Sequence, residues 1–380
     1  MRRKERISGF VEAIWQWYAV SKRSLPWRDS VLGNDTERAY RILVSEVMLQ
    51  QTQVERVKVI YIRFLKEFPT LRSLVEASNR EVILAWRGMG YNNRALRLRD
   101  AARRIQEEFN GIFPNDLQAL ESIKGLGHYT AAAIRNFAFN LSTPCIDTNI
   151  RRILHRTFVG PERADGTWEK DDRYLLKIAE EVLEAALAAS PPRPPSPLRP
   201  TPTGEGGVSS VQRQTSPLPG QVEWHGRGGQ GGEARFPHDA RNWHAALMDF
   251  GSLVQTKRNP QWEMCPLTRR GLMKTTKKSY ESRVMSHGKQ RNSKLKTHHP
   301  RLVEPGREIA GRFIPNRIIR GRIVEVLRDT PSGLSLDALG RRIAADWSMV
   351  RHREWLETIL ARLQRDAFVA QKHLRYRLAD

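Results

Sequence analysis

Two carboxylates in this chain sit in surroundings that suit them to opposite tasks. Glu46 lies in Ile42-Leu43-Val44-Ser45-Glu46-Val47-Met48-Leu49-Gln50-Gln51-Thr52. At helical spacing its neighbours are Ile42 and Leu43 behind and Leu49 and Gln50 ahead. A carboxyl on that face loses hydration, so its pKa is expected to rise toward the range of a general acid at neutral pH. Asp147 lies in Thr143-Pro144-Cys145-Ile146-Asp147-Thr148-Asn149, just before a helix begun by Ile150, Ile153 and Leu154. There it accepts backbone N–H bonds and meets the positive end of the helix dipole, so its pKa is expected to fall. Taken singly, a buried structural glutamate accounts for Glu46 and an ordinary N-cap for Asp147. Taken together they separate an acid from an anion. Glycoside cleavage uses that division: one group protonates the leaving group and the other stabilises the oxocarbenium ion.

A third segment points to phosphate. In Leu117-Gln118-Ala119-Leu120-Glu121-Ser122-Ile123-Lys124-Gly125-Leu126-Gly127-His128-Tyr129-Thr130, Asn115 or Asp116 can cap a first helix whose apolar face is Leu117, Leu120 and Ile123. Gly125 and Gly127 are expected to make a tight turn with positive φ, and a second apolar helix follows at once. Its free N-terminal N–H groups beside a glycine turn form a ready anion site. A plain glycine-closed hairpin is the bland alternative. Gly125, Gly127 and Thr130 are the candidate DNA contacts of this hairpin.

The elements that must hold these residues are mostly helical. Residues 8 to about 188 carry apolar residues at helical spacing with little strand-like alternation, so the fold class is all-α. From Ser190-Pro191-Pro192-Arg193-Pro194-Pro195 onward Pro, Gly, Ser and Thr dominate, and 189–239 reads as a disordered insertion. An amphipathic helix resumes at Asn242–Phe250, and 240–270 is assigned with 1–188 to one domain. Residues 271–312 read as a basic linker. Residues 313–380 hold three amphipathic helices and a terminal hairpin, which suggests a small winged-helix-like domain, with a generic three-helix bundle as the alternative.

The chain has 380 residues, enough for two domains, and 39% hydrophobic content. Its 64 Lys and Arg against 41 Asp and Glu give a net charge of +23. Such a balance concerns partners rather than fold, and nucleic acid leads. No apolar run reaches bilayer length, and the basic start is not followed by a signal-peptide core, so no membrane association is expected. Two cysteines, Cys145 and Cys265, imply no disulfide framework, which fits a reducing, cytoplasmic location, nucleoid-associated in a prokaryote.

In this order the segments resemble the adenine DNA glycosylases of the helix-hairpin-helix, or endonuclease III, superfamily. The resemblance covers roughly 8–160 and 240–267. It rests on Leu25-Pro26-Trp27-Arg28, Ser45-Glu46-Val47-Met48-Leu49-Gln50-Gln51-Thr52-Gln53-Val54, Gly88-Met89-Gly90-Tyr91, the hairpin, and Asp147-Thr148-Asn149. It implies a two-lobed helix-hairpin-helix fold and a DNA N-glycosylase of base excision repair. Glu46 then matches the acid that protonates the flipped base, and Asp147 the carboxylate that stabilises the sugar cation. Tyr129 and Asn149 match supporting polar residues, and Gln51 the residue that wedges into the duplex. Arg23, Leu25 and Trp27 match positions bordering the base pocket, and Tyr91 one at the DNA cleft. In the endonuclease III type a lysine stands where Tyr129 does and forms a Schiff base. A phenol cannot, so the resemblance implies a monofunctional enzyme.

This chain departs from the family in three places. The family's 4Fe-4S cluster uses four cysteines, and the matching positions here are Gln255, Trp262, Cys265 and Gly271. Only Cys265 remains, so no cluster and no metal is expected, with Trp262 filling some of the space. Residues 313–380 do not resemble the family's Nudix-like C-terminal domain, which leaves the opposite base open. The Pro/Gly-rich insertion is a tether. The expected substrate is double-stranded DNA with adenine opposite guanine or 8-oxoguanine. A thymine or uracil mismatch glycosylase and a non-catalytic DNA-binding protein are the competing readings.

Overall fold

The computed structural model describes residues 1–29, 34–163, 167–189, 237–282 and 305–380. The expected insertion lies outside them except at its ends. The helical domain begins with α1 (Arg3–Ser21), where Ile7, Phe10, Val11, Ile14, Trp15 and Tyr18 fall on one face and are buried. The short α2 (Pro26–Asp29) leads to α3 (Asp35–Leu49), capped by the Asn34 side chain on the Glu37 N–H. Then come α4 (Val54–Glu67), α5 (Leu71–Glu76), α6 (Asn79–Ala85), α7 (Asn93–Phe109), α8 (Leu117–Ser122) and α9 (His128–Phe137). The chain returns through α10 (Thr148–Leu154), a π-helical turn at His155–Val159, and α11 (Asp172–Ala188). After the insertion it continues in α12 (Ala240–Leu253) and α13 (Pro266–Arg269).

These helices form two groups. One runs from α3 to α9; the other gathers α1, α10, α11, α12 and α13. They meet where α9 packs on α12, and one continuous apolar core spans both. Trp15 stacks on His238 at 4.2 Å and Phe10 sets its edge on Phe158 and Trp243, so α1 closes the second group. The helical domain does not end at residue 270. Leu272 and Thr275 are buried, and a helical turn at 277–282 packs Tyr280 against Trp262 with ring centroids 5.6 Å apart. The first part of the expected linker is therefore folded onto the domain: its apolar and aromatic residues are few but each finds a partner.

The C-terminal unit begins at Gly306, seven residues before the expected boundary at Phe313. β1 (Gly306–Ile309) pairs antiparallel with β2 (Arg312–Pro315), and Phe313 lies in the second strand. The connecting Ala310 and Gly311 both take positive φ, the conformation a two-residue hairpin needs. An alanine there is a weak turn signal, which is why the hairpin was not legible. Next come α14 (Asn316–Arg328), β3 (Leu334–Ser335), α15 (Leu336–Ile343), α16 (Met349–Arg365), β4 (Val369–Lys372) and β5 (Arg375–Leu378). The three expected helices and the terminal hairpin are present; β3 is an addition and joins them in an antiparallel sheet of order β3-β5-β4. Among the described residues the helical domain has no strands, so the molecule is mostly helical with small sheets at its C-terminal end.

One glycine fixes how closely α12 approaches the helix that carries Asp147. A Cβ on Gly251 would lie 2.6 Å from the Asn149 Cβ and 3.2 Å from its Cα. Gly251→Ala must therefore push α10 from α12. The expected cost is about 1–3 kcal/mol in denaturant unfolding. Unchanged stability would contradict this close approach.

Candidate active site

Glu46 occupies the C-terminal half of α3, where Val44, Ser45, Val47 and Met48 are also buried, and it is only 6% exposed. Packing of α9 on α3 brings the Tyr129 hydroxyl to its carboxyl. Loss of hydration drives the Glu46 carboxyl up to about 7. The Tyr129 hydrogen bond and the Arg28 charge pull it down, and the charge on Asp147 pushes it up. Burial and both carboxylates hold the Tyr129 phenol protonated, so it donates to Glu46.

Asp147 caps α10 as its sequence position implies. Its Oδ1 accepts the Ile150 N–H at 2.6 Å and its Oδ2 the Asn149 side-chain amide at 2.9 Å. The expected fall of its pKa does not occur. Protein surrounds the carboxylate, and lost hydration outweighs the bonds from Ile150 and Asn149 and the charge of Arg152, so the pKa is raised. Cys145, buried beside both acids, is held as the neutral thiol. Asn149 is itself fixed: its Oδ1 accepts from Arg152 at 2.6 Å, and Arg152 also donates to the carbonyls of Gly251 and Gln255.

The N-terminal segment brings the Arg28 charge near Glu46. Arg28 donates to both oxygens of Asp249, at 3.0 and 2.9 Å, and Arg23 donates to Asp249 at 2.7 Å. Asp249 is fully buried, so its charge is met by two guanidinium groups rather than water. Arg23 is thus a partner of Asp249. Leu25 and Trp27 are core positions: Leu25 is buried, and Trp27 sets its ring edge-to-face with Tyr61 at 5.4 Å.

Gln51 and Tyr91 both stand exposed with left-handed backbones, φ 54° and 45°. Arg94, buried beneath them, explains how two such turns are held together. It donates to the carbonyls of Val47, Met48 and Gln50 on one side and of Met89 and Gly90 on the other, and its guanidinium lies 5.6 Å from the Tyr91 ring.

In the hairpin, Asp116 caps α8 through the Ala119 N–H at 2.9 Å. Gly125 has φ +105°, but Gly127 is the extended N-cap of α9, so only one of the two glycines takes the expected positive φ. The second is explained by access: a Cβ at either position would meet nothing within 4 Å, so the backbone faces open space. Gly127 has no side chain to cap α9, so the first N–H groups of α9 have no side-chain cap. Thr130 is buried as a whole residue.

Sequence reasoning missed Arg28, Arg94, Arg152, Cys145 and Asp249. Arg28 and Cys145 lay inside quoted motifs. Arg94 gave no signal, because its partners are main-chain carbonyls, of the adjacent turn at Met89 and Gly90 and of Val47, Met48 and Gln50 more than 40 residues away.

Of the four positions matching the family's cluster ligands, Gln255, Trp262 and Cys265 are buried and Gly271 is exposed. Gln255 donates to the Cys265 sulfur at 3.3 Å and accepts from Arg156 at 3.1 Å. Arg156 is fully buried, pairs with Glu162 at 2.8 Å, and lies 5.8 Å from the Trp262 ring and 4.9 Å from the Tyr280 ring. A carboxamide, an indole and a glycine supply no thiolate, so these residues do not fit a four-iron cluster.

Residues 44–178 match the family model of the HhH-GPD superfamily of base excision DNA repair proteins. The adenine DNA glycosylase of Mus musculus is 38% identical over 183 residues, 47% of this chain and 35% of that protein. The adenine DNA glycosylase of Mycobacterium tuberculosis is 40% identical over 253 residues, 66% of this chain and 63% of that protein. The chain therefore spans about a third of the mouse relative's length and under two thirds of the mycobacterial one. A solved thermostable thymine-DNA glycosylase shares the fold, with TM-score 0.51 and 21% identity over 73% of this chain and 98% of its own.

Burial of Glu46 has a stability consequence with a definite sign. Its carboxyl titrates near 4.5 when hydrated and at about 7 in the folded chain. The folded state holds the proton more tightly, so stability is lost as pH rises between those values, by about 3 kcal/mol in all. Glu46→Gln is expected to stabilise the chain strongly at pH 8 and little at pH 5 in denaturant unfolding. An equal effect at both would contradict the assignment.

Proposed function

We infer that the helical domain of this chain belongs to the helix-hairpin-helix superfamily of base excision DNA repair proteins, and on that premise we propose that the chain is a monofunctional adenine DNA glycosylase. The substrate is double-stranded DNA in which adenine lies opposite guanine or 8-oxoguanine. The observation that carries the reading is a glutamate that keeps its proton near neutral pH, bonded to Tyr129 and electrostatically tied to Asp147. Two close carboxylates resist carrying two charges. The proton resides on Glu46, which is the more deeply dehydrated, and the bonds from Ile150 and Asn149 favour Asp147 as the anion.

The chemistry then follows. Glu46 gives its proton to a ring nitrogen of the flipped adenine as the bond from C1′ to the base breaks. Asp147 stabilises the positive charge left on the sugar. Water adds at C1′ and releases a proton to solvent, leaving free adenine and an abasic site. Tyr129 orients Glu46 and offers no amine for a Schiff base, so the strand is left uncut. The hairpin backbone at Gly125 and Gly127 holds a phosphate, a contact that positions without reading sequence. Gln51 fills the place of the flipped base. The net charge of +23 serves the same partner.

The reading is tested with duplexes carrying adenine opposite 8-oxoguanine, adenine opposite guanine, thymine opposite guanine, and uracil opposite guanine, followed by alkali. Cleavage of the adenine strands alone is expected, with none before alkali. Release from the thymine or uracil duplex would move the specificity to that class, and release from none would leave a DNA-binding protein without catalysis.

We also propose that the chain works without an iron–sulfur cluster. The Arg156 guanidinium, held by Glu162, Gln255 and two aromatic rings, takes over the packing role. No helix of the described residues is long and apolar enough to cross a membrane. We read the C-terminal unit as winged-helix-like from its three helices and its three-stranded sheet. Purified full chain is expected to contain far less than one iron per molecule. Arg156→Ala should cost about 3–5 kcal/mol, the usual result of breaking a buried ion pair. Stoichiometric iron and sulfide would refute this.

A further inference from the structure

The C-terminal unit sends a buried charge into the helical domain. Arg328 is the last residue of α14, and its side chain is fully buried. Burial works against the guanidinium cation, so its contacts must offset that cost. Nη2 donates to the Ile83 carbonyl at 2.9 Å and to the Asn92 side-chain oxygen at 3.0 Å, and Nε donates to the Ile83 carbonyl at 3.2 Å. Glu325, one turn back on α14, pairs with Nη1.

The two acceptors bracket a single loop. Ile83 lies near the end of α6 and Asn92 just before α7, so one guanidinium closes the segment 83–92 at both of its ends. The Ile83 carbonyl is available because the Arg87 N–H bonds Leu84 instead. An ion pair between Arg87 and Asp329 joins the same loop to the residue after Arg328. Between those ends Gly88, Gly90 and Tyr91 take positive φ, 92°, 68° and 45°. A tyrosine in that region is strained and persists only where its surroundings over-determine it.

The remaining ties of this loop lead to Gln51. Buried Trp86 donates to the Gly90 carbonyl at 3.1 Å. Arg94 holds the Met89 and Gly90 carbonyls with Nη2 and the carbonyls of Val47, Met48 and Gln50 with Nη1. Gln51 follows at once, with its own left-handed φ of 54°. Two buried guanidinium groups and the loop between them thus connect the C-terminal unit to the turn that carries Gln51.

We propose that Arg328 is a positioning residue for base flipping: it sets the Tyr91 loop, and through Arg94 the Gln51 turn, in the conformation that enters the duplex. The inference rests on the reading of Gln51 as the residue that fills the vacated place. Arg328 is buried and acts through the loop, not on DNA. Its bonds hold the left-handed turns before DNA arrives, so their ordering is not drawn from binding. Without them the competent arrangement is present for a smaller fraction of the time, and the duplex opens at a correspondingly lower rate.

The test uses the full chain and a duplex with adenine opposite 8-oxoguanine and the fluorescent base 2-aminopurine beside the adenine. Fluorescence rises as the adenine leaves the stack, so flipping is read without base release. Arg328→Met keeps an apolar stem and removes the donors. It is expected to slow the rise about tenfold, the effect of losing a charged hydrogen bond, with duplex affinity changed less than about threefold. Gln51→Ala is itself expected to slow the rise, and adding Arg328→Met to it should slow it less than about twofold further, because both act on one step. A merely structural role would lower stability in both backgrounds and leave the rate of the folded protein unmoved. If Arg328→Met does not fold, Asn92→Ala removes one acceptor and leaves the core intact; the same pattern is expected at about threefold.

An unslowed rise in the folded variant, an undiminished loss on top of Gln51→Ala, or no rise with the unaltered chain would overturn the proposal. A rise slowed by the variant in a chain that releases no adenine would sink the glycosylase reading and uphold this one. Adenine release with a rise that the variant leaves unchanged would do the reverse.

Discussion

The site depends on keeping one carboxyl away from water. Glu46 is buried on a helix that is itself buried almost all round, and that dehydration holds a proton where a hydrated glutamate would have lost it. Much else in the helical domain supports this arrangement. Asp249 takes up the charges of Arg23 and Arg28, which keeps a cation near Glu46 without letting it form a neutralising pair. Tyr129 supplies a hydrogen bond to the Glu46 carboxyl. Gly251 lets α12 come close enough for Arg152 to lock Asn149, and Asn149 in turn holds Asp147. The ionised form of Glu46 is unfavourable in the folded chain, a cost the large continuous core is able to carry.

Local patterns were legible in the sequence where local physics decides them. The apolar spacing around Glu46 foretold its burial, the Asp116 and Asp147 caps were readable from position, and the three C-terminal helices followed from their stripes. Misjudgements came where distant segments intervene. Capping alone would lower the pKa of Asp147, but the burial of its carboxylate outweighs the cap. Gly127 was given a positive φ, whereas the structure uses its missing side chain for access. Arg94 was invisible because it ties a neighbouring turn to a distant one through main-chain carbonyls, which carry no side-chain signal. Tyr280 and Leu272 looked like parts of a tether, yet each packs on the domain.

The places where this chain departs from its relatives are physically coherent. Where the family's cluster ligands would stand, a buried arginine gathers a glutamate, a carboxamide and two aromatic rings, and so ties the segment after α12 to the π-helical turn. Where the C-terminal domain differs, its first helix is fixed against α6 and α7 by the buried Arg328 and lines a cleft beside Gln51. Both substitutions keep a neighbouring element in a set position by packing and hydrogen bonds among ordinary side chains.

The most direct measurement is the pH dependence of single-turnover adenine release from a duplex with adenine opposite 8-oxoguanine. A protonated Glu46 as general acid requires the rate to hold at low pH and to fall as pH rises through about 7. The same profile in Glu46→Gln should be flat and close to the uncatalysed rate. A rate that is constant or rising through that range in the unaltered chain, or one preserved in Glu46→Gln, would contradict the account.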